Sequence, residues 1–119
     1  MKISDEHRIQ AAIVQYLDMA LPKGLRCVGV SNNPRSKISG AMEKARGMRA
    51  GYPDLTILGV FKWQPLIVMI EVKTEKGKLS PAQKEWQSWA AEKGIPHYVA
   101  HSVDDVQSAL AEIGILKDS

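Results

Sequence analysis

Gly51-Tyr52-Pro53-Asp54-Leu55-Thr56-Ile57-Leu58-Gly59-Val60 and Leu66-Ile67-Val68-Met69-Ile70-Glu71-Val72-Lys73 are two runs rich in β-branched and aliphatic residues. They predict two strands, Asp54 to Val60 and Leu66 to Lys73, joined by a turn over Lys62 to Pro65. The second run is apolar on both faces, as expected of a strand in the middle of a sheet. Side chains alternate, so Ile67, Met69, Glu71 and Lys73 share one face and Val68, Ile70 and Val72 the other. If the runs pair as a hairpin, their open ends coincide. Asp54 and Glu71 then stand side by side although 17 positions apart.

That pairing gives the two acids a purpose. Glu71 and Lys73 alone read equally well as a surface ion pair where the strand emerges, because charges at the end of an apolar strand need partners. Asp54 changes the balance. Two adjacent carboxylates repel, and one resists ionising unless a cation joins them. Hard oxygen donors suit Mg²⁺ or Mn²⁺. A lysine beside such an ion can orient a water and hold it near its deprotonated form. Asp54, Glu71 and Lys73 thus form a constellation for phosphodiester hydrolysis.

Upstream, Ser4 is a good helix cap, with Asp5 and Glu6 in the first turn. Ile9, Ile13, Tyr16, Leu17 and Ala20 mark the buried face of that helix, which Pro22-Lys23-Gly24 ends. Glu6 projects from the apolar stripe. It either serves the helix start or reaches inward as a third acid, with Gln10 one turn on as surface or as its support. Leu25 to Val30 predicts a strand, and Ala41 to Met48 a short helix. Downstream, Glu75-Lys76-Gly77-Lys78 is a loop. Ser80-Pro81-Ala82-Gln83 is a capping box with proline at the first helical position, opening a helix that runs to Lys93 and stops at Gly94. Pro96 to His101 is a short strand. Ser102 and Asp105 make a second capping box, opening a helix that ends at Gly114. The order, α-β-(α)-β-β-α-β-α, predicts an α/β fold with a mixed sheet flanked by helices.

The 119 residues fit a single domain, 1–119. The hydrophobic fraction of 45% and charged fraction of 24% exclude a disordered or fibrous chain. The longest aliphatic run, Leu66 to Ile70, is too short to span a membrane. The polar, acidic start is unlike a signal peptide. The lone Cys27 cannot form an internal disulfide; it fits a reducing cytoplasm and an inert core position. Sixteen Lys and Arg against thirteen Asp and Glu give +3. Between Asn32 and Gly51, Arg35, Lys37, Lys44, Arg46 and Arg49 against Glu43 give +4, so the rest of the chain sums to −1. This segment reads as a solvated loop or as a surface for phosphate contact.

Trp86 and Trp89, three apart on the helix after Ser80, are expected to face the core. Trp63 is expected to be exposed in the hairpin turn. His7, His97 and His101 lack metal-ligand spacing and read as surface or strand-end residues. No Gly-rich phosphate loop, Ser-His-Asp order or cysteine cluster is present.

The residues together resemble the virus-type replication-repair nuclease (VRR-NUC) family, a branch of the PD-(D/E)xK nucleases. The matching elements are Glu6, Ser31-Asn32-Asn33, Gly47-Met48-Arg49-Ala50-Gly51-Tyr52-Pro53-Asp54-Leu55, Ile70-Glu71-Val72-Lys73 and Leu79-Ser80-Pro81-Ala82-Gln83. They occur in family order over residues 4 to 101. The resemblance implies a restriction-endonuclease-like fold in which Asp54, Glu71 and the backbone carbonyl of Val72 bind the metal. It implies that Lys73 positions the attacking water, that Glu6 takes part through water or a second metal, and that Gln83 braces the site. Position 87 is Gln where the related exonuclease-like pattern has Tyr.

The resulting expectation is a Mg²⁺- or Mn²⁺-dependent DNA endonuclease, with Asn32, Asn33, Arg35, Lys37, Lys44, Arg46 and Arg49 on the DNA backbone. The rivals are a non-catalytic nucleic-acid-binding module on a nuclease-like fold, and a nuclease of other branched DNA or of RNA. The intact acids and lysine argue against the first. One site cuts one strand, and twofold dimers are the commonest small assemblies. A homodimer that resolves four-way (Holliday) junctions is therefore expected, in agreement with stand-alone members of the family it resembles. Its interface would draw on Trp63, Phe61 or Ile113-Ile115-Leu116. The resemblance also points to a phage or prophage protein in a bacterial cytoplasm.

Overall fold

The computed structural model describes residues 4–30 and 37–116. The elements, in order, are α1 (Asp5–Ala20), β1 (Leu25–Gly29), α2 (Lys37–Ala45), β2 (Leu55–Phe61), β3 (Gln64–Val72), α3 (Pro81–Lys93), β4 (His97–Ala100) and α4 (Val103–Glu112). The sheet order is β1-β2-β3-β4, with β1–β2 and β2–β3 antiparallel and β3–β4 parallel. The predicted mixed sheet is thus present, and β3 lies in its interior.

The hairpin pairs Leu55 with Ile70 at one end and Phe61 with Gln64 at the other. Its turn is tighter than the sequence predicts. Only Lys62 and Trp63 lie outside the ladder, both at positive φ (51° and 69°), while Pro65 pairs with Val60 inside the strand. Such paired positive angles match the right-handed twist of the flanking strands. The register continues by one step to set Asp54 against Glu71.

One face of the sheet carries the core. Leu25, Leu55, Ile57, Val68, Ile70, Val72 and Ala100 pack with Ile13 and Leu17 of α1, Val106 and Leu110 of α4, and Ile115. Ser4 caps α1, its hydroxyl accepting from the His7 N–H at 3.1 Å. Ile115 is buried in this core, so the segment Ile113-Ile115-Leu116 does not offer the spare apolar surface anticipated from it. Cys27 is half-buried beside the core, and burial together with Asp18 pushes its thiol up to about 11. It stays protonated and inert at neutral pH.

The opposite face is half covered. α3 lies over its Glu71 end. Farther along, Val28, Leu58, Val60 and Ile67 are 43–53% exposed. Leu58 pairs directly with Ile67, so these side chains form a continuous strip leading to Trp63, which is 96% exposed as expected.

Two helix starts differ from prediction. α2 begins at Lys37 and ends at Ala45, earlier than Ala41 to Met48; Gly47, at φ 98°, ends it. At α4 the Ser102 hydroxyl accepts from the Asp105 N–H at 3.1 Å, but Asp105 Oδ2 accepts from His101, at 2.8 Å, and does not close a box on Ser102. Ser102 is more fully extended (φ −163°) than Ser80 (φ −71°), which turns its own N–H away from the first turn. Among the described residues no helix is long and apolar enough to cross a membrane.

Candidate active site

The open end of the hairpin meets the first turn of α1 and the start of α3 in one cleft of about 1070 Å³. Glu6 and Asp54 line the cleft, Glu71 is buried beside them, and one carboxylate oxygen from each of the three lies within 4.8 Å of the others. Of the two readings of Glu6, the structure places it inward. Lys73, Thr74, Tyr52, Gln10 and Gln83 line the same cleft.

The acids are held differently. Asp54 Oδ2 accepts the Val72 N–H at 2.8 Å, which ties the start of β2 to the end of β3. The neighbouring carbonyl of Asp54 accepts from Val30 at 3.2 Å. Glu71 is 1% exposed, the most buried of the three acids. Burial, a hydrogen bond shared with Asp54 and the charges of Asp54 and Glu6 push its carboxyl up to about 9, against a smaller opposing pull from Lys73. A carboxyl in that condition is either protonated or neutralised by a cation. Three close oxygen donors, one of them from that buried carboxyl, fit a hard divalent cation. Val72 has its side chain in the core, and its backbone borders the two acids.

Gln83 joins α3 to this cluster. Its Oε1 accepts the Ser80 N–H at 2.8 Å and its own N–H donates to Ser80 Oγ at 3.2 Å, completing the predicted capping box. Its Nε2 donates to Glu71 Oε2 at 3.2 Å. The capping and bracing roles therefore coexist in one amide. The approach of α3 depends on Gly51, which sits at φ 77°. A Cβ there would fall 2.7 Å from the Ala82 Cβ and closer still to the Ala82 backbone.

Two contributors lie outside the sequence prediction. His101 Nδ1 is 3.1 Å from the Lys73 carbonyl and 3.2 Å from that of Thr74, bracing the chain where Lys73 leaves β3. The sequence shows its strand-end position but not its partner. The Tyr52 hydroxyl bonds Thr56 Oγ1 at 2.7 Å, and its ring meets Trp86 edge-on at 4.9 Å. Trp86 and Trp89 do not face the core. They stand edge-on at 5.4 Å beside a groove between α2 and α3, and Trp89 is 42% exposed. α3 buries only Ala90 fully, because it lies over the end of the sheet and against the loop before β2.

Of the residues expected on the DNA backbone, Asn32, Asn33 and Arg35 lie outside the described residues, and Lys37 opens α2. Lys44, Arg46 and Arg49 are exposed. Arg49 is partly engaged within the chain: its Nη1 donates to the carbonyls of Lys44 at 2.9 Å and Met48 at 3.3 Å, satisfying the end of α2.

Comparison with known proteins agrees with the geometry. The sequence matches the VRR-NUC domain over residues 4–104. A solved structure described as a VRR_NUC domain protein superposes with a TM-score of 0.72 at 27% identity, covering 99% of this chain and 94% of that one. A second, described as a VRR_NUC domain, gives 0.63 at 22% identity over 92% and 97%, a likeness of fold. A Fanconi-associated nuclease 1 homolog from Caenorhabditis briggsae is 39% identical over 62 residues. That stretch is 50% of this chain but only 6% of the relative. Since the domain match runs through all the elements that build the acidic cleft, the chain belongs to the VRR-NUC family of nuclease domains.

Proposed function

We propose that this protein is a metal-dependent DNA endonuclease whose homodimer resolves four-way junctions. The observation that carries the reading is the meeting of Glu6, Asp54 and buried Glu71 within 4.8 Å, at the cleft that Glu6, Asp54 and Lys73 line. A Mg²⁺ or Mn²⁺ ion, when bound, supplies charge to the scissile phosphate and lowers the pKa of a bound water.

The chain's own residues do the rest. Asp54 and Glu71 would hold the ion together with the Val72 carbonyl, with Glu6 contributing directly or through water. Gln83 fixes the Glu71 carboxylate, and the Val72 N–H fixes that of Asp54. Lys73 orients the attacking water and stabilises its deprotonated form. The exposed cations Lys44 and Arg46 hold the DNA backbone, with the neighbouring Asn32, Asn33, Arg35, Lys37 and Arg49.

The dimer reading rests on the uncovered half of the sheet. Val28, Leu58, Val60, Ile67 and Trp63 form an apolar strip of the kind a second copy covers. A twofold pair sets two sites in opposed orientation, matching the two symmetric strands of a junction. The test is incubation of equal concentrations of junction, flap, duplex and single-stranded DNA, and of RNA, with Mg²⁺, Mn²⁺ or EDTA, alongside light scattering. Preferred junction cleavage by a dimer, lost in EDTA, is expected. Activity in excess EDTA overturns the metal mechanism; a monomer that cuts flaps or linear ends equally well overturns the junction reading alone.

A further inference from the structure

The groove between α2 and α3 lies outside the acidic cleft but is built onto it. It measures about 500 Å³, and its wall is formed by Met48, Ala50, Trp86 and Trp89. Ala50 lines both cavities. From the cleft outward, Tyr52, Trp86 and Trp89 form a ladder of edge-to-face rings with centroid spacings of 4.9 and 5.4 Å. The Trp86 indole N–H donates to the Ala50 carbonyl at 3.0 Å, so the wall is pinned to the loop that leads into Asp54. Lys44 and Arg49 border the groove, and Arg49 is held in place by its bonds to the Lys44 and Met48 carbonyls. Glu43 and Glu85 complete the rim.

This is a rigid aromatic surface, partly open to solvent, with cations at its edge and a phosphodiester-cutting cleft next door. We infer that the groove takes an unpaired nucleobase of the DNA strand in the cleft, stacked on Trp89, with Lys44 and Arg49 towards its backbone. The inference rests on the nuclease reading and adds to it that a strand opens beside the scissile phosphate, at the branch point of a junction as at a fork. Two features of the structure and one of the ligand favour this occupant. The volume suits a small planar ligand. Every base offers a π-face, so stacking needs no particular sequence. The groove and the cleft share Ala50 in their walls, so one strand can reach both.

The test uses the full chain in EDTA, so that binding is read without cleavage. A short single-stranded DNA carrying 2-aminopurine, a forked duplex with the probe in its unpaired flank, and a fully paired duplex are titrated with wild type, Trp89→Ala and Trp89→Phe. Wild type is expected to quench the probe in the first two. Trp89→Ala is expected to weaken their binding about 5- to 150-fold, the effect of losing one base–aromatic stack, while the paired duplex is bound as before. Trp89→Phe, which keeps a ring, should restore most of the affinity and exclude misfolding as the cause. Unchanged binding of the single strand by Trp89→Ala, or an equal loss on all three DNAs, overturns the inference. So does a change in solution mass without a change in quenching, which assigns the groove to a second copy. Failure of the nuclease reading shows separately, as absence of cleavage with metal while quenching persists.

Discussion

Asp54 accepts a 2.8 Å hydrogen bond from the backbone of Val72, the residue that follows Glu71. One carboxylate thus closes the ladder between β2 and β3 and faces the acid opposite it. Structure and chemistry share that side chain, and separating them requires substitutions that keep its partners in place.

Glu71→Gln is such a substitution. It removes one charge and almost no volume, and the Gln83 amide can still bond its oxygen. Cleavage should be lost while the far-UV signal and the sheet remain. Lys73→Ala should instead retain metal binding, measured by calorimetry, and lose turnover. Loss of metal binding in Lys73→Ala would make it part of the ion site.

The pH dependence has a definite sign. In the metal-free folded chain Glu71 keeps its proton up to about pH 9, whereas in the unfolded chain it releases it near its ordinary value. Between those limits the folded state holds the extra proton, so stability falls as pH rises. Thermal unfolding in EDTA should show a midpoint several degrees lower at pH 8 than at pH 5.5. Glu71→Gln should flatten that slope, and saturating Mg²⁺ should reverse it, since the ion replaces the proton. A slope unchanged by Glu71→Gln would assign it to other groups.

Gln83 invites a division of its two roles. Gln83→Ala removes the capping bond and the brace and should cost about 1 kcal/mol of stability, as well as activity. Gln83→Glu keeps an acceptor for the Ser80 N–H but sets a further negative charge against Glu71. Its stability at low pH should approach wild type, while the descent towards alkaline pH steepens. Chemical denaturation across pH reads both.

Gly51→Ala tests how α3 reaches the acids. The added methyl collides with Ala82, and φ 77° strains any side chain. Destabilisation of about 1–3 kcal/mol is expected, with a larger loss of kcat than of fold, because α3 carries the Gln83 brace. Equal activity in folded protein would show that α3 can retreat without harm.

For the proposed DNA surface, charge reversal at Arg46 is the cleaner probe, since Arg49 also satisfies carbonyls at the end of α2. Arg46→Glu should weaken DNA binding and reduce its salt dependence by about one unit of slope for each phosphate that is no longer neutralised. An unaltered slope would return this part of the segment to the status of a solvated loop.

The hairpin is legible in the sequence because its signals are local: Gly51 and Pro53 before one strand, a polar turn, and an apolar run ending in Glu71. Register then follows from the turn and the alternation. The capping boxes illustrate both sides. Ser80 and Gln83 close as read, while Asp105 finds the N–H of His101, a difference of backbone angle that composition does not encode. Trp86 and Trp89 escape the sequence because hydrophobicity says that a ring seeks contact but not with what. Here the contact is Tyr52 and the loop before β2, brought near by tertiary packing. His101 could not be tied to Lys73 for the same reason, since their meeting depends on β4 lying parallel to β3.

The carboxylates come from the first turn of α1, the loop entering β2 and the end of β3, and the amide that steadies them arrives only with α3. Glu6 precedes its partners by 48 and 65 positions and has no companion acid until both strands of the hairpin are in place. No fragment ending before α3 holds the braced set, and any opening that lifts α1 or α3 takes it apart. On the proposed reading, the nuclease is thus silent as a partial or loosened chain, and becomes competent only when the whole tertiary structure has closed.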